Sequence, residues 1–170
     1  METKTYFFQP EKKVLKQGYF LEDENKNIVY EAKMLKQPLI GAMEFEFINR
    51  ISGSSELHKV GHTVTMEEES TLGFFSKKSS FKYDGKNIWD YLHEKGVRID
   101  TAFSGNRLGM NYTVSLEGKE IATIANAAPG NAQIFVTTRF WLNVTTTEEH
   151  LDTAFLVALA IARTEQDFYN

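Results

Sequence analysis

The sequence predicts a mainly β fold, a closed antiparallel β-barrel enclosing a hydrophobic C-terminal helix, with about ten strand candidates before Thr145. Most of the chain before Thr145 has the two-residue period of half-buried strands. Short polar turns join neighbouring segments as hairpins, which makes the sheet mainly antiparallel. After Thr145 the pattern changes once, to that of a helix, and no linker or repeat divides the 170 residues. We therefore expect a single domain over 1–170.

The strand segments run from about residue 4 to residue 143. In the clearest one, Met43, Phe45 and Phe47 alternate with Glu44 and Glu46, which places three large apolar side chains on one face. Two hairpins are predicted, one joining 18–21 to 28–34 and the other spanning 110–125 with a tight turn at 117–119. The remaining strand candidates are 5–9, 59–66, 81–83, 97–103 and 134–142.

The segment 87–95 could continue a hairpin or form a short helix. Asn87 is a good N-cap, and Gly96 is a good helix terminator. The apolar residues at 88, 89 and 92 have helical spacing. These features favour the short helix.

The C-terminal helix is predicted over about 147–165. Thr145 with Glu148, or Thr146 with Glu149, matches a capping box at its start.

No charged residue lies between Asp152 and Arg163, and the bulky side chains cover most of the circumference of this helix. A helix that is apolar all round is normally buried on every side. Because eight strands are just filled by their own side chains, enclosing a helix requires a larger barrel. The alternative is a helix that lies on one face of an open sheet with its alanine side towards solvent.

The opening hairpin, 18–30, and the C-terminal run 152–162 resemble the tubby C-terminal-like superfamily, in particular its bacterial branch related to the plant LURP-one proteins. The phospholipid scramblases are more distant relatives. The resemblance implies a closed barrel of about twelve strands around a hydrophobic C-terminal helix. Tubby domains bind phosphoinositide head groups through basic side chains of the barrel wall, but none of those basic positions is matched residue by residue here. That activity is therefore not transferred to this chain.

Composition excludes several classes of protein. The absence of cysteine excludes a disulfide scaffold and cysteine-ligated zinc or iron–sulfur sites. A net charge of −4 argues against broad electrostatic binding of nucleic acid. The start of the chain lacks the apolar core of a secretory signal, and the longest uncharged apolar stretch, 154–162, is about half of a membrane span. We expect a cytoplasmic protein without a transmembrane segment. Its oligomeric state is not predicted.

One surface stretch, 73–86, combines aromatic and basic residues. Between Lys77 and Lys86 it carries four lysines and one aspartate within an acidic protein. Aromatic side chains beside lysines are typical of a surface that contacts anionic lipid, although lysines that protect an edge strand give the same pattern. The candidate binding residues of this predicted patch are Phe74, Phe75, Lys77, Lys78, Lys82 and Lys86.

Catalytic and metal motifs are weak. His58 and His62 lie on one predicted strand about 13 Å apart, which is too far to chelate one ion. No Gly-x-Ser-x-Gly motif supports a histidine as a catalytic base. We therefore expect no catalytic residues, no metal and no cofactor. The sequence favours a non-enzymatic domain that binds a membrane surface or a protein on its outer wall. The alternative is a carrier of an apolar ligand or lipid in a partly filled barrel, and an enzyme comes third.

Overall fold

The computed structural model describes residues 2–12, 17–68, 75–103, 110–126 and 141–168. In these residues eleven strands form one antiparallel sheet, which confirms the mainly β prediction. The strands are β1 Lys4–Lys12, β2 Gln17–Glu22, β3 Ile28–Lys36, β4 Met43–Asn49, β5 Ser55–Glu68, β6 Phe75–Tyr83, β7 Lys86–Asn87, β8 Val97–Phe103, β9 Met110–Leu116, β10 Lys119–Asn126 and β11 Leu142–Thr146. The helices are α1 Ile88–Glu94 and α2 Leu151–Phe168, and a 3₁₀ turn, Glu148–His150, precedes α2.

The sheet is open. Its strand order is β7-β6-β5-β4-β3-β2-β1-β11-β10-β9-β8, and within the described residues its two edge strands, β7 and β8, do not pair. The prediction of a closed barrel is therefore wrong. At this edge β7 has only two residues before the chain turns into α1, so β7 offers little length for pairing with the distant edge strand β8. Helix α1 contacts β6, β7 and β8, so it bridges the two edges in place of strand pairing.

Both predicted hairpins are confirmed. Strands β2 and β3 pair on either side of a polar turn, and β9 and β10 pair around Glu117 and Gly118, which both have positive φ. The short helix is confirmed as α1. The Asn87 side chain accepts a hydrogen bond from the Trp89 backbone N–H, and Gly96 follows the helix with a φ of +77°. These are the local signals that the sequence carries.

The predicted capping box at the start of the C-terminal helix is not formed, although helical turns begin at Glu148, next to the predicted start at about 147. Thr145 and Thr146 lie in β11, where they pair with Thr5 and Lys4 of β1. The Thr146 hydroxyl donates to the Ile121 carbonyl at 2.8 Å, so it is not available as a helix cap. The 3₁₀ turn begins after Thr147, whose side chain makes no cap hydrogen bond. Most of the strand candidate 134–142 lies outside the described residues.

The middle of α2 is buried on all sides, although the sheet around it is not a closed barrel. The six consecutive residues from Val157 to Ala162 are each at most 2% exposed. At about 100° per residue, six consecutive positions point in every direction around the axis. The helix packs against β3, β6, β10 and β11, which lie far apart in the strand order, so the open sheet curls around it.

Phe155 anchors this core. Its ring lies 4.5 Å from Tyr30, 5.7 Å from Phe8 and 6.0 Å from Phe47, measured between ring centroids. These partners come from β3, β1 and β4, so one helical side chain connects three strands. Among the described residues, no helix is both long and apolar enough to cross a membrane.

Candidate ligand-binding site

The predicted patch is only partly described by the structure. Phe74 lies outside the described residues. Phe75, Lys77 and Lys78 belong to β6. They pair with Glu68, Met66 and Thr65 of β5, respectively, but their side chains are not among those that the structure describes. The structure therefore places these three residues in one strand without testing the predicted patch.

Lys82 and Lys86 are exposed on neighbouring strands at the β7 edge of the sheet. The Lys86 ammonium forms an ion pair with Glu94 of α1. Lys82 lies opposite Asn87 in the pairing of β6 with β7. Two of the six predicted residues are therefore close together, and one of them already has a carboxylate partner.

A cavity in the described part of the chain lies elsewhere, between β3 to β6 on one side and α1, β8 and β9 on the other, beside the first turn of α2. It has a volume of about 250 Å³. Helix α2 closes its inner end. Its lining consists of Tyr30, Phe47, Glu56, His58, Tyr83, Tyr91, Leu92, Lys95, Val97, Leu116, Asp152, Thr153 and Leu156.

Aromatic rings in mutual contact form one wall of this cavity. His58 packs on Tyr83 with 4.6 Å between centroids and meets the edge of Phe47 at 5.1 Å. Tyr83 in turn lies 5.0 Å from Tyr91 of α1. Such tilted and edge-on contacts fix the rings relative to one another. The wall is thus built from three neighbouring strands and the bridging helix.

Two carboxylates hold the His58 ring in this wall. Its Nδ1 lies 2.8 Å from the Asp84 Oδ2, and its Nε2 lies 3.1 Å from the Glu56 Oε2. The other Asp84 oxygen accepts the Lys59 backbone N–H at 2.7 Å, which fixes the position of Asp84. Both contacts of His58 are hydrogen bonds at once only when both ring nitrogens carry protons. Because neither nitrogen is open, this geometry suits a structural wall better than a catalytic base.

Asp152 lies at the α2 end of the cavity. The Asn49 side-chain amide donates to its Oδ1 at 3.1 Å. The residue keeps contact with solvent, but desolvation by its surroundings raises the pKa of its carboxyl above the ordinary 3.8, and repulsion from Glu56 adds to the rise. The Asn49 hydrogen bond opposes both effects. This carboxylate is therefore held in surroundings that disfavour its charge.

Two tyrosines of the lining are kept as neutral phenols. Burial, followed by the nearby charges of Asp152 and Glu56, raises the pKa of Tyr30 far above its usual 10. Burial is also the main reason that the pKa of Tyr83 is raised. The cavity therefore presents uncharged aromatic surfaces next to ionisable carboxylates.

Sequence reasoning treated His58 as an ordinary polar surface residue and did not single out Glu56. In the structure, His58 lies on the same face of β5 as buried Val60, whereas Leu57 lies on the other face with 72% of its surface exposed. On this part of β5 the polar His58 faces inwards and the apolar Leu57 faces out, while 76% of the Glu56 side chain is exposed. A register that matched β5 to Phe45 and Phe47 would have shown this inversion.

His62 lies in β5 opposite Phe81, and its side chain is outside the description. In the described ranges, no group of three or more His, Cys, Asp or Glu residues could hold a metal ion.

Comparison of the chain with protein-family models, curated proteins and solved structures finds no match. The tubby-like resemblance therefore stays a prediction, and the candidate site has to be interpreted from its own chemistry.

Proposed function

We propose that the chain is a binding domain that holds a small ligand in the cavity beside the first turn of α2. The observation that carries this proposal is the convergence of side chains from eight elements on about 250 Å³ of unfilled space. Protein interiors are otherwise close-packed, and pockets lined by aromatic groups with a few polar groups are the usual ligand sites. The volume lies below the range of about 300–1,000 Å³ for drug-sized ligands, which favours a smaller molecule.

This proposal changes the predicted carrier in two respects. Helix α2 fills the space inside the curled sheet, so the ligand belongs at the end of α2 and not beside it. The lining also contains the carboxylates of Asp152 and Glu56, which a wholly apolar ligand would cover without contacting through a polar group. A ligand with both apolar and polar parts is the better match.

A cavity-filling variant tests the proposal. Leu156→Trp adds bulk to the lining, whereas Leu57→Trp adds the same bulk to the outer face of β5 as a matched control. We expect small-fragment binding, measured by saturation-transfer NMR, to be lost in Leu156→Trp and kept in Leu57→Trp. Equal fragment binding by both variants, or none by the unaltered protein, would contradict the proposal.

A second candidate function is contact with an anionic membrane surface, favoured by the loop between β3 and β4. Leu39 and Ile40 in this loop are both more than nine-tenths exposed. Lys36 and Lys82 nearby are also exposed. Gly61 lies between Lys82 and Ala42, which places Lys82 near the end of this loop: the position that a Cβ of residue 61 would occupy is 3.7 Å from the Lys82 Cβ and 3.8 Å from the Ala42 Cβ. Exposed aliphatic side chains beside lysines suit insertion at a negatively charged lipid surface. A cytoplasmic, peripheral location belongs to this proposal.

Co-sedimentation with vesicles of phosphatidylserine and phosphatidylcholine tests this candidate. We expect the double change Leu39→Ser with Ile40→Ser to reduce binding, and Ile51→Ser, in the exposed turn between β4 and β5, to have no effect. Lys77→Glu with Lys78→Glu should abolish charge-dependent binding without changing the melting temperature. Binding that is independent of vesicle charge and of these residues would exclude the candidate. A protein partner at this surface would be indicated if only the loop variant lost binding to a purified protein.

A tubby-like relationship also remains a proposal. Its support is the antiparallel sheet of sequential strands curled around a buried C-terminal helix. The open edges between β7 and β8 depart from the closed barrel that this family implies.

A further inference from the structure

We infer that the ligand of this cavity is a small organic cation, an alkylated ammonium group held between aromatic rings and carboxylates. This inference rests on the proposed ligand-binding function and specifies the chemistry of the ligand. Three features of the lining support it, namely the aromatic wall, the excess of carboxylates and a lysine that already contacts one of the rings.

The aromatic wall provides the surface that an organic cation requires. The faces and edges of Phe47, Tyr83 and Tyr91 meet at 5.0 and 6.0 Å between centroids around one space. The negative faces of such rings attract ammonium groups, and the attraction grows when water is excluded. Alkyl groups on the nitrogen also bury apolar surface against Leu92 and Leu156. An inorganic cation would gain neither contact.

The charges of the lining favour a cation over an anion. Glu56 and Asp152 supply two carboxylates, and Lys95 supplies one ammonium. The His58 ring, also in the lining, already contacts Glu56 and leaves Asp152 as the carboxylate without a basic partner among the lining residues. Asp152 is partly desolvated and repelled by Glu56, so a cation placed between them would relieve both penalties. An anion would add a third negative charge to the same space. The cost of keeping Asp152 charged is thereby explained by the ligand that it binds.

Lys95 shows that the wall can hold an ammonium group. Its Nζ lies 5.7 Å from the centroid of the Tyr91 ring, within cation–π range. Lys95 is exposed and follows α1 immediately, so its side chain can leave this position without disturbing a core contact. A ligand ammonium would compete with Lys95 for the Tyr91 face and would be repelled by it. Removing the charge of Lys95 should therefore strengthen the binding of a cation.

Isothermal titration calorimetry with choline and its uncharged isostere 3,3-dimethyl-1-butanol tests the inference. The two probes have nearly the same shape, so their difference reports the charge. We expect choline to bind the unaltered protein at least about tenfold more tightly than the alcohol. Glycerophosphocholine serves as a third probe, since tighter binding than choline would identify a lipid head group as the source of the ammonium.

Four variants assign the effect to particular side chains. Asp152→Asn and Glu56→Gln should each weaken choline binding about tenfold and leave binding of the alcohol unchanged. Lys95→Gln should strengthen choline binding severalfold. Glu24→Gln, in the exposed turn between β2 and β3, is the matched control and should change neither.

Equal affinity for choline and the alcohol would overturn the cation inference while the ligand-binding proposal stands. Weaker choline binding in Lys95→Gln would also overturn it, because a lysine that competes with the bound cation and repels it cannot strengthen its binding. If neither probe binds while the fragments of the cavity-filling experiment do, the cation inference fails alone. If neither the probes nor the fragments bind, the proposed function fails with it.

Discussion

Helix α2 carries a charged side chain on either side of its run of buried residues, Asp152 and Arg163, and the two side chains have different surroundings. At the C-terminal side, the Arg163 guanidinium donates to the Tyr19 hydroxyl at 3.2 Å and lies 3.8 Å from the Met43 Sδ. At the N-terminal side, Asp152 borders the cavity and accepts a hydrogen bond from Asn49. The arginine contacts the strands that cover it, whereas the aspartate borders unfilled space.

Under the proposed function, this difference separates a structural residue from a ligand-binding residue within one helix. Arg163 joins α2 to β2 and β4, which is what a part-buried charge requires to be tolerated. Asp152 lies in the first turn of α2, where the helix dipole favours a negative charge, and yet its surroundings raise its pKa. A residue kept in surroundings that disfavour it is typical of a functional site. The variants below test this contrast, beginning with the largest expected effect.

Ala158→Asp places a carboxylate in the middle of the run that separates Asp152 from Arg163. Ala158 is fully buried, so the new charge would have neither solvent nor a partner. We expect the variant not to fold, because an isolated buried carboxylate costs several kcal/mol or more. Far-UV circular dichroism during heating checks this. Ala158→Ser, with a small hydroxyl, is the control and should still melt cooperatively; a soluble, cooperatively melting Ala158→Asp would show that the helix is not enclosed.

Phe155→Ala removes the ring that connects β1, β3 and β4. We expect a loss of about 3–5 kcal/mol in the free energy of unfolding, because the change removes buried area and leaves a hole in the core. Leu156→Ala, at the next position, lines the cavity and is only partly buried, so it should lose much less. Urea denaturation measures both. Equal losses would mean that the cavity is as tightly packed as the core.

Arg163→Met keeps an unbranched stem, although a shorter one, and removes the hydrogen bond to Tyr19. We expect a loss of about 1 kcal/mol, typical of a part-buried hydrogen bond from a charged donor. The check is urea denaturation at neutral pH, with Tyr19→Phe as the variant that removes the same bond from its other side. A double-mutant cycle should show coupling between the two changes, and strict additivity would mean that the bond contributes nothing.

Asp152→Asn should have the smallest effect on stability. Unlike the three preceding variants, it should stabilise the folded protein. Because desolvation raises the pKa of Asp152 in the folded state above 3.8, the native protein loses stability as pH rises from about 4 through that raised pKa. The asparagine variant lacks this loss. Its melting temperature minus that of the unaltered protein should therefore increase by about 1–2 °C between pH 4 and pH 7. Thermal melts across this range check it. A difference that shrinks as pH rises would mean that the carboxylate contributes to stability.

Local signals in the sequence were sufficient for most of the fold. The alternation of Met43, Phe45 and Phe47, the turn at Glu117 and Gly118, and the caps around α1 depend on neighbouring residues, and the structure confirms each. The capping box failed because pairing with β1 and β10 takes Thr145 and Thr146 into β11. The closed-barrel prediction failed because closure depends on whether distant edges meet, and β7 offers only two residues for such pairing.

The candidate site was less predictable because it joins residues that are distant in sequence. Asp152 and Glu56 lie on different elements, and their proximity follows only from the curl of the sheet around α2. The one local indication was the inversion on β5, where Leu57 faces out and His58 faces in. That inversion became readable only once the register with β4 was known. The failure of the sheet to close and the presence of the cavity have the same origin, since α1 spans the gap between the edges.

Methyl-labelled NMR during a choline titration tests the central claim most directly. The account predicts shifts confined to methyl groups of the cavity lining, those of Leu92, Val97, Leu116 and Leu156, with none at exposed Leu39 or Ile40. Saturable shifts at the lining that disappear in Leu156→Trp would establish ligand binding in this cavity. Unchanged lining methyls at a high choline concentration, or shifts only at Leu39 and Ile40, would contradict the binding of an organic cation in this cavity.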